Sequence, residues 1–324
     1  MINNLIVGAG QLGSRRLQGM LRNNQHSQSI YVIDPSEESL NVSKSRAAEI
    51  DHNHQVFFQQ DWKNIPAELD VVIVATNANV REQVVNQLLM QCTVKYLILE
   101  KVLFTDLSAY QRISDLLKFH KVKTWVNHPR RMFTSYRKLK GLLGENFTGI
   151  FQVTGGNWGL GCNGLHFVDL FEFLTDSKAI NLDADWVDRE LLESKRKGFV
   201  EFTGTIKGTL TNGSVIQISS LKGEPSAGTI TIFDNDNRFI IQESGTSAIY
   251  QMKKTEGFKQ DAMPFAMEFQ STLTTSLISD LLSSGTCNLP AYPEAKQTHE
   301  LFIKALLKPY NKLQNSDNYI LPIT

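Results

Sequence analysis

The chain has 324 residues, 41% hydrophobic and 20% charged, with 33 basic side chains against 33 acidic ones and a pI near 7.1. That length suits two domains of ordinary globular composition, and the balanced charge argues against a nucleic-acid or membrane-surface partner. No apolar run approaches the ~20 residues that cross a bilayer. The start, Met1-Ile2-Asn3-Asn4, leaves no room for a secretion signal ahead of the first apolar run. Cys92, Cys162 and Cys287 are scattered and lack metal-ligand spacing, so a cytoplasmic protein with reduced thiols and no metal is expected.

Leu5-Ile6-Val7 is followed by Gly8-Ala9-Gly10-Gln11-Leu12-Gly13, and a second apolar run, Tyr31-Val32-Ile33, ends on Asp34. This order predicts strand, glycine turn, helix, second strand and terminal carboxylate in one βαβ unit. Gly8 permits the tight turn, Gly10 admits a pyrophosphate and Gly13 lets helix and strand pack closely. The helix start, with Gln11 and Leu12, offers amides and a partial positive charge to phosphates. Asp34 is placed to accept hydrogen bonds from an adenosine ribose. A carboxylate there repels a 2′-phosphate, so NAD is expected over NADP.

Alternation continues. Helix is predicted over Glu37 to Asp51, with Ser36 as its cap. Short strands follow at Gln55 to Gln59 and, rich in β-branched residues, at Asp70 to Ala75. Thr76-Asn77 ends that run, ahead of helix from Val80 to Gln91, strand Tyr96 to Leu99, helix Ser108 to His120 and strand Lys123 to Val126. The pattern implies a doubly wound parallel sheet with right-handed crossovers over residues 1–126.

From residue 127 to 324 a second, α+β domain is expected. Helices are predicted at Arg131 to Leu143, Leu165 to Leu174, Pro264 to Leu282 and Glu294 to Leu307, the last packing back on the first domain. Short strands from Phe199 to Tyr250, with a tight-hairpin signal at Asn212-Gly213, predict a large, mostly antiparallel open sheet. One face of that sheet needs a cover, and a homodimer or homotetramer through it is expected.

Ligands of a doubly wound sheet bind beyond the carboxyl ends of its strands. Three segments end there: the glycine turn, Ala75-Thr76-Asn77, whose polar side chains can line a nicotinamide, and Glu100-Lys101. Lys101 can donate to a substrate oxygen and stabilise alkoxide charge. Between Gly155 and Gly164 five glycines in ten residues predict a loop for close ligand approach. His166 and Asp169 follow at a helix start on one face, where an imidazole can act as general acid or base. Arg131, at the expected domain junction, can bind a polyhydroxylated or anionic substrate, and Asn163 and Asp169 are further candidates for substrate contact.

With these segments in order, the chain resembles the glucose–fructose oxidoreductase / inositol dehydrogenase family, Gfo/Idh/MocA. The resemblance rests on Gly-Ala-Gly-x-x-Gly, Ala75-Thr76-Asn77, Glu100-Lys101 at the family's Glu-Lys-Pro position, Asn127 to Phe133 at its Asn-x-Arg-Phe segment, and Gly164 to Asp169 at its Gly-x-His-x-x-Asp segment. It implies a Rossmann domain plus an open-sheet domain and an NAD(P) oxidoreductase acting on a sugar, cyclitol or nucleotide-linked sugar. Lys101 and His166 take the catalytic positions, and Glu100 joins the cofactor-binding set. The Gly-Gly-Asn-Trp-Gly run is similar to a subgroup tied to bacterial surface-sugar biosynthesis. Two positions depart from the family: Val102 replaces proline, and Cys162 stands where many of its sugar dehydrogenases carry aspartate. The cysteine leaves two other readings open, a dinucleotide-binding sensor that regulates a partner, and a reductase of a non-sugar substrate.

Overall fold

The structure is a computed structural model that describes residues 2–145 and 147–324. The chain divides into two units. The first comprises Met1–Phe104, Ser108–Pro129 and Glu268–Ala295, the second Thr105–Leu107, Arg130–Met267 and Lys296–Thr324.

Six strands build the first unit: β1 (Ile2–Val7), β2 (Gln28–Ile33), β3 (Gln55–Gln59), β4 (Glu68–Val74), β5 (Thr93–Glu100) and β6 (Lys123–Asn127). Helices α1 (Gln11–Leu21), α2 (Glu37–Ala47), α3 (Ala78–Gln91) and α4 (Ala109–Phe119) alternate with them. All neighbours are parallel, in the order β3-β2-β1-β4-β5-β6. The strand order reverses between β1 and β4, which is where such sheets bind ligands. Val71 to Val74 are fully buried, as a strand covered on both faces requires. The expected break at 126/127 would cut β6, whose Asn127 still pairs with Glu100.

A later helix, Gln270–Ser284, belongs to this unit and packs on α1. A β-carbon on Gly19 would stand 2.4 Å from the Ser271 carbonyl oxygen, so only glycine admits this approach. Arg16, Arg22 and the Gly19 carbonyl bond to Thr274, Ser271 and Thr275 across the contact. This corrects one expectation: helix is predicted from Pro264, but that residue ends a strand and the helix begins at Gln270. Residues 296–324 fall in the second unit.

The second unit carries α5 (Thr134–Leu143), preceded by a 3₁₀ turn at Pro129–Met132, then β7 (Ile150–Gly156) and α6 (Leu160–Thr175). Nine strands follow: β8 (Ala179–Val187), β9 (Leu192–Glu193), β10 (Val200–Glu201), β11 (Gly204–Leu210), β12 (Val215–Leu221), β13 (Ser226–Phe233), β14 (Asn237–Gln242), β15 (Ala248–Lys253) and β16 (Gln260–Pro264). Eight strands form one sheet, β16-β15-β14-β13-β7-β12-β11-β8, antiparallel except for the β7–β12 pair. Alternation sets its two faces. Phe151, Val153, Ile216, Ile218, Ile230 and Ile232 are fully buried on one, where the rings of Phe151 and Phe171 of α6 lie 4.6 Å apart. Gln152, Thr154, Gln217 and Thr231 remain partly or fully exposed on the other. β9 and β10 pair separately as a short hairpin.

The glycine run 155–164 is not one loop. Gly155 and Gly156 end β7, and α6 already begins at Leu160, so only residues 157–159 are irregular, with Asn157 at φ +40° and Gly159 at φ +83°. The glycines serve packing instead: a β-carbon on Gly161 would meet the Phe202 ring at 3.0 Å, and one on Gly164 the Phe302 ring at 3.0 Å. His166 and Asp169 therefore lie well inside α6 rather than at its start.

Candidate active site

The glycine turn forms as its spacing predicts. Gly8 has φ +99°, and a β-carbon there would press on the Ala75 and Thr76 backbone at 3.0–3.1 Å. At Gly13 a β-carbon would stand 1.7 Å from the Gly8 carbonyl oxygen. Gly10 differs: it is exposed and a β-carbon there meets nothing within 4 Å. Gly10 also caps α1 without a side-chain bond, so the helix opens on backbone amides and their partial positive charge. The cradle has the shape that a pyrophosphate fills.

Asp34 closes one side. Its Oδ2 accepts from the Ala9 amide at 2.7 Å and its Oδ1 from the Ser36 amide at 2.8 Å, which holds the carboxylate against the turn. A carboxylate has about four acceptor positions, so two bonds leave capacity for ribose hydroxyls. Arg46 was not visible in the sequence as part of this region. It reaches from α2 to the Gln11 carbonyl at 3.0 Å, the Gln11 Oε1 at 2.5 Å and the Ser14 hydroxyl at 2.5 Å. Only its helical face could have signalled that it turns toward α1.

At the next strand end the Thr76 hydroxyl oxygen is buried and has no hydrogen-bond partner among the described residues, while Asn77 is exposed. Arg81, 1% exposed, donates to the carbonyls of Thr76, Val102 and Leu103, the last at 2.7 Å. It ties the end of β4 to the segment just after Lys101. The Lys101–Val102 peptide is cis.

Glu100 does not face a ligand. Arg16 donates to its Oε1 from Nη2 at 2.6 Å and from Nε at 3.1 Å, and Asn127 donates to its Oε2 at 2.8 Å. With Glu100 4% exposed, its carboxylate is an internal anchor between α1, β5 and β6, which corrects its expected place among cofactor contacts. Lys101 is half-buried at the end of the same strand.

In the second unit α6 carries His166, half-buried, on a helix held by ion pairs. Arg131 grips Asp169 through Nε at 2.9 and 3.0 Å and Nη2 at 2.7 Å, with side chains 8% and 1% exposed. Both were candidates for substrate contact; the structure makes them partners of each other, because a buried carboxylate needs a cation and this one is within reach. Beside them Arg130 donates to both oxygens of Glu243 at 2.7 and 2.6 Å, and Tyr136 adds a bond of 2.6 Å. Burial pushes the Glu243 carboxyl up, but the Arg130 charge and bonds outweigh it and hold the group below its usual value. Burial, then the Glu243 charge, drives the Tyr136 phenol well above its usual value. Arg130 also stacks 4.5 Å over the ring of Phe167, next to His166.

The start of α6 is capped from outside the helix. Glu201 of β10 accepts from the amides of Gly161 at 2.9 Å and Cys162 at 3.1 Å. No local pattern marks this carboxylate, which lies 39 residues from Cys162. Asn163 donates to the Trp158 carbonyl at 2.8 Å, closing the turn before the helix. Among the described residues no cluster of metal-ligating side chains occurs, and no helix is long and apolar enough to cross a membrane.

Residues 2–128 match the model of an oxidoreductase family with an NAD-binding Rossmann fold, GFO_IDH_MocA. No curated protein sequence matches the chain. Among solved structures, UDP-N-acetylglucosamine 3-dehydrogenase GnnA from Acidithiobacillus ferrooxidans superposes with a TM-score of 0.72 at 15% identity, over 97% of this chain and 99% of that one. Scyllo-inositol dehydrogenase from Lactobacillus casei, with bound NAD(H) and scyllo-inositol, gives 0.70 at 16% identity, over 98% of each chain. Biliverdin reductase from Synechocystis sp. PCC 6803, with biliverdin and NADP+, gives 0.72 at 15% identity, over 94% and 98%. At such identities these likenesses concern the fold, and their ligands differ widely. Residues 2–128, with their glycine cradle and strand-end acid, are thus similar to the NAD-binding Rossmann domain of the Gfo/Idh/MocA oxidoreductases.

Proposed function

We propose that the protein transfers a hydride between a nicotinamide cofactor and the carbinol or carbonyl carbon of a sugar, cyclitol or nucleotide-linked sugar, in the cytoplasm and in surface-polysaccharide sugar synthesis. The observation that carries this reading is the open cradle over Gly10, walled by Asp34 and by the amides that start α1. Those residues fit a dinucleotide: Gly8, Gly10, Gln11, Leu12 and Gly13 hold the pyrophosphate, Asp34 holds the ribose, and Thr76 and Asn77 line the nicotinamide side. The nicotinamide ring, when bound, supplies the hydride donor or acceptor. Lys101 polarises the substrate oxygen and stabilises its developing charge. His166 gives or takes the proton, a task an imidazole can perform as general acid or base.

Asp34 favours NAD over NADP, since its charge repels a 2′-phosphate. The three cysteines are free, which suits a reducing compartment. The partly exposed face of the large sheet, with Gln152, Thr154, Gln217 and Thr231, is the surface through which a homodimer or homotetramer forms.

Calorimetry with NADH and NADPH tests the cofactor: NADH binds at least tenfold more tightly, and no heat with either sinks the proposal. Turnover on a panel of free and activated sugars then tests the chemistry. Lys101→Ala and His166→Ala each lower kcat by about 10²–10⁴-fold, and normal turnover in both refutes the assignment. Light scattering reads the oligomer directly.

A further inference from the structure

Arg46 stands on α2, 35 residues from Gln11 in sequence, yet its guanidinium lies on the first turn of α1. Nη1 donates to the Gln11 carbonyl at 3.0 Å and to the Ser14 hydroxyl oxygen at 2.5 Å, and Nη2 donates to Gln11 Oε1 at 2.5 Å. The side chain is half-buried and makes no ion pair among the described residues. Glu49, one turn further along α2, accepts from Gln18 Nε2 at 2.7 Å instead. A cation at the positive end of a helix is unfavourable by itself, because the first-turn amides already carry partial positive charge. Helix stability therefore does not explain Arg46 in this place; an anion received by the same turn does.

The bonds run on from Arg46 to the cradle. The Ser14 hydroxyl has one proton to give. With Arg46 donating into its oxygen, that proton goes to the Gly10 carbonyl at 2.8 Å, the nearer of two carbonyls in reach, the other being that of Gln11 at 3.2 Å. The Gly10 carbonyl also accepts the Ser14 amide at 3.0 Å. No side chain restricts the Gly10 backbone, so these two bonds fix the Gly10–Gln11 peptide plane. They thereby aim the Gln11 amide, one of the free donors that open α1. The Gln11 side chain is set by the same guanidinium. Arginine can only donate, so it must meet the amide oxygen. The Gln11 Nε2 is left turned away from Arg46, exposed and without a partner among the described residues.

We propose that Arg46 is a positioning residue for the diphosphate of the dinucleotide. Through Ser14 it aims the Gln11 backbone amide, and through Gln11 Oε1 it presents Nε2 as a side-chain donor to the phosphates. The inference deepens the dinucleotide reading and rests on it. The diphosphate is the counter-charge that the helix start and the guanidinium both lack among the described residues. Asp34 and Arg46 then act from the two ends of one helix: Asp34 holds the Ser36 amide just before α2, and Arg46 reaches back from its last turn.

Calorimetry on the full chain with NADH, ADP and adenosine tests this across a cycle of Arg46→Ala, Gln11→Ala and the double variant. Arg46→Ala weakens NADH and ADP about tenfold, the worth of one hydrogen bond to a charged group, and leaves adenosine within about twofold. Gln11→Ala weakens NADH about fivefold in the parent but less than about twofold once Arg46 is alanine, because its Nε2 is then no longer held. Arg46→Lys keeps the charge without the fork and stays within about threefold of Arg46→Ala. A loss shared equally by adenosine means a packing role, additive losses mean independent groups, and full rescue by lysine means a bare charge; each overturns the proposal. Where Arg46→Ala does not fold, Arg46→Lys takes its place in the cycle. A parent that binds neither NADH nor ADP defeats the dinucleotide reading itself. A parent that binds both, with variants that match it, defeats only the role of Arg46.

Discussion

Gly8–Gly13 in the first unit and Gly155–Gly164 in the second are both glycine-rich, yet their absent β-carbons face different things. In the first segment Gly8 and Gly13 press against backbone, while Gly10 between them faces open space. In the second, Gly155, Gly156, Gly161 and Gly164 all lie against protein atoms: Trp158, the Glu224 carbonyl, Phe202 and Phe302. Glycine marks close approach in either case. What approaches, a ligand or the chain itself, depends on neighbours far away in sequence.

Substitutions can break or sharpen this contrast. The largest effect is expected at Gly13, where alanine must displace the Gly8 backbone: Gly13→Ala costs more than about 3 kcal/mol in urea unfolding, or yields no folded protein. A stable Gly13→Ala would refute the packing role. Next comes the helix that the second segment feeds. Asp169→Asn leaves the Arg131 guanidinium buried without its counter-charge and costs about 3 kcal/mol or more, whereas breaking an exposed pair such as Lys222 with Glu190 costs under about 1 kcal/mol. Gly10→Ala separates ligand from packing. It changes stability by less than about 0.5 kcal/mol but weakens NADH binding tenfold or more, while Gly164→Ala does the reverse. Equal NADH affinities in Gly10→Ala and the parent would mean that the cradle is not used.

The smallest effect concerns pH. Burial raises the Glu172 carboxyl above its usual value, although the Ala179 amide, Lys178 and Thr298 pull the other way. A raised folded value means that the folded chain holds this proton more tightly than the unfolded one. Stability from this group is therefore lost as pH rises from the unfolded carboxyl value, about 4.3, through the folded one, and stays constant above both. Glu172→Gln removes that loss, so its urea midpoint gains on the parent over this interval and keeps the gain at neutral pH. A gap that does not change with pH would place the proton elsewhere.

Much of the first unit was legible because its signals are local. Alternating β-branched runs and helical periods specify a doubly wound sheet, and the turn Gly8–Gly13 with Asp34 needs only neighbours in one βαβ unit. In the second unit the antiparallel character was legible from hairpin signals, but β8 was not, because its exposed Ile180 and Trp186 blur the alternation on which such readings depend. The start of α6 was misplaced because glycine is a poor helix former in isolation, and packing against Phe202 and Phe302 overrides that preference.

The amino-acid sequence alone determined where the chain turns tightly, which strands are buried on both faces and which acid ends β2, since each follows from the conformational range or polarity of adjacent residues. Tertiary structure decided the pairings: Glu100 with Arg16 and Asn127, Asp169 with Arg131, Glu243 with Arg130, and Glu201 with the start of α6. A buried charge must find a counter-charge or a set of amides wherever the fold brings one, and that choice lies with residues remote along the chain.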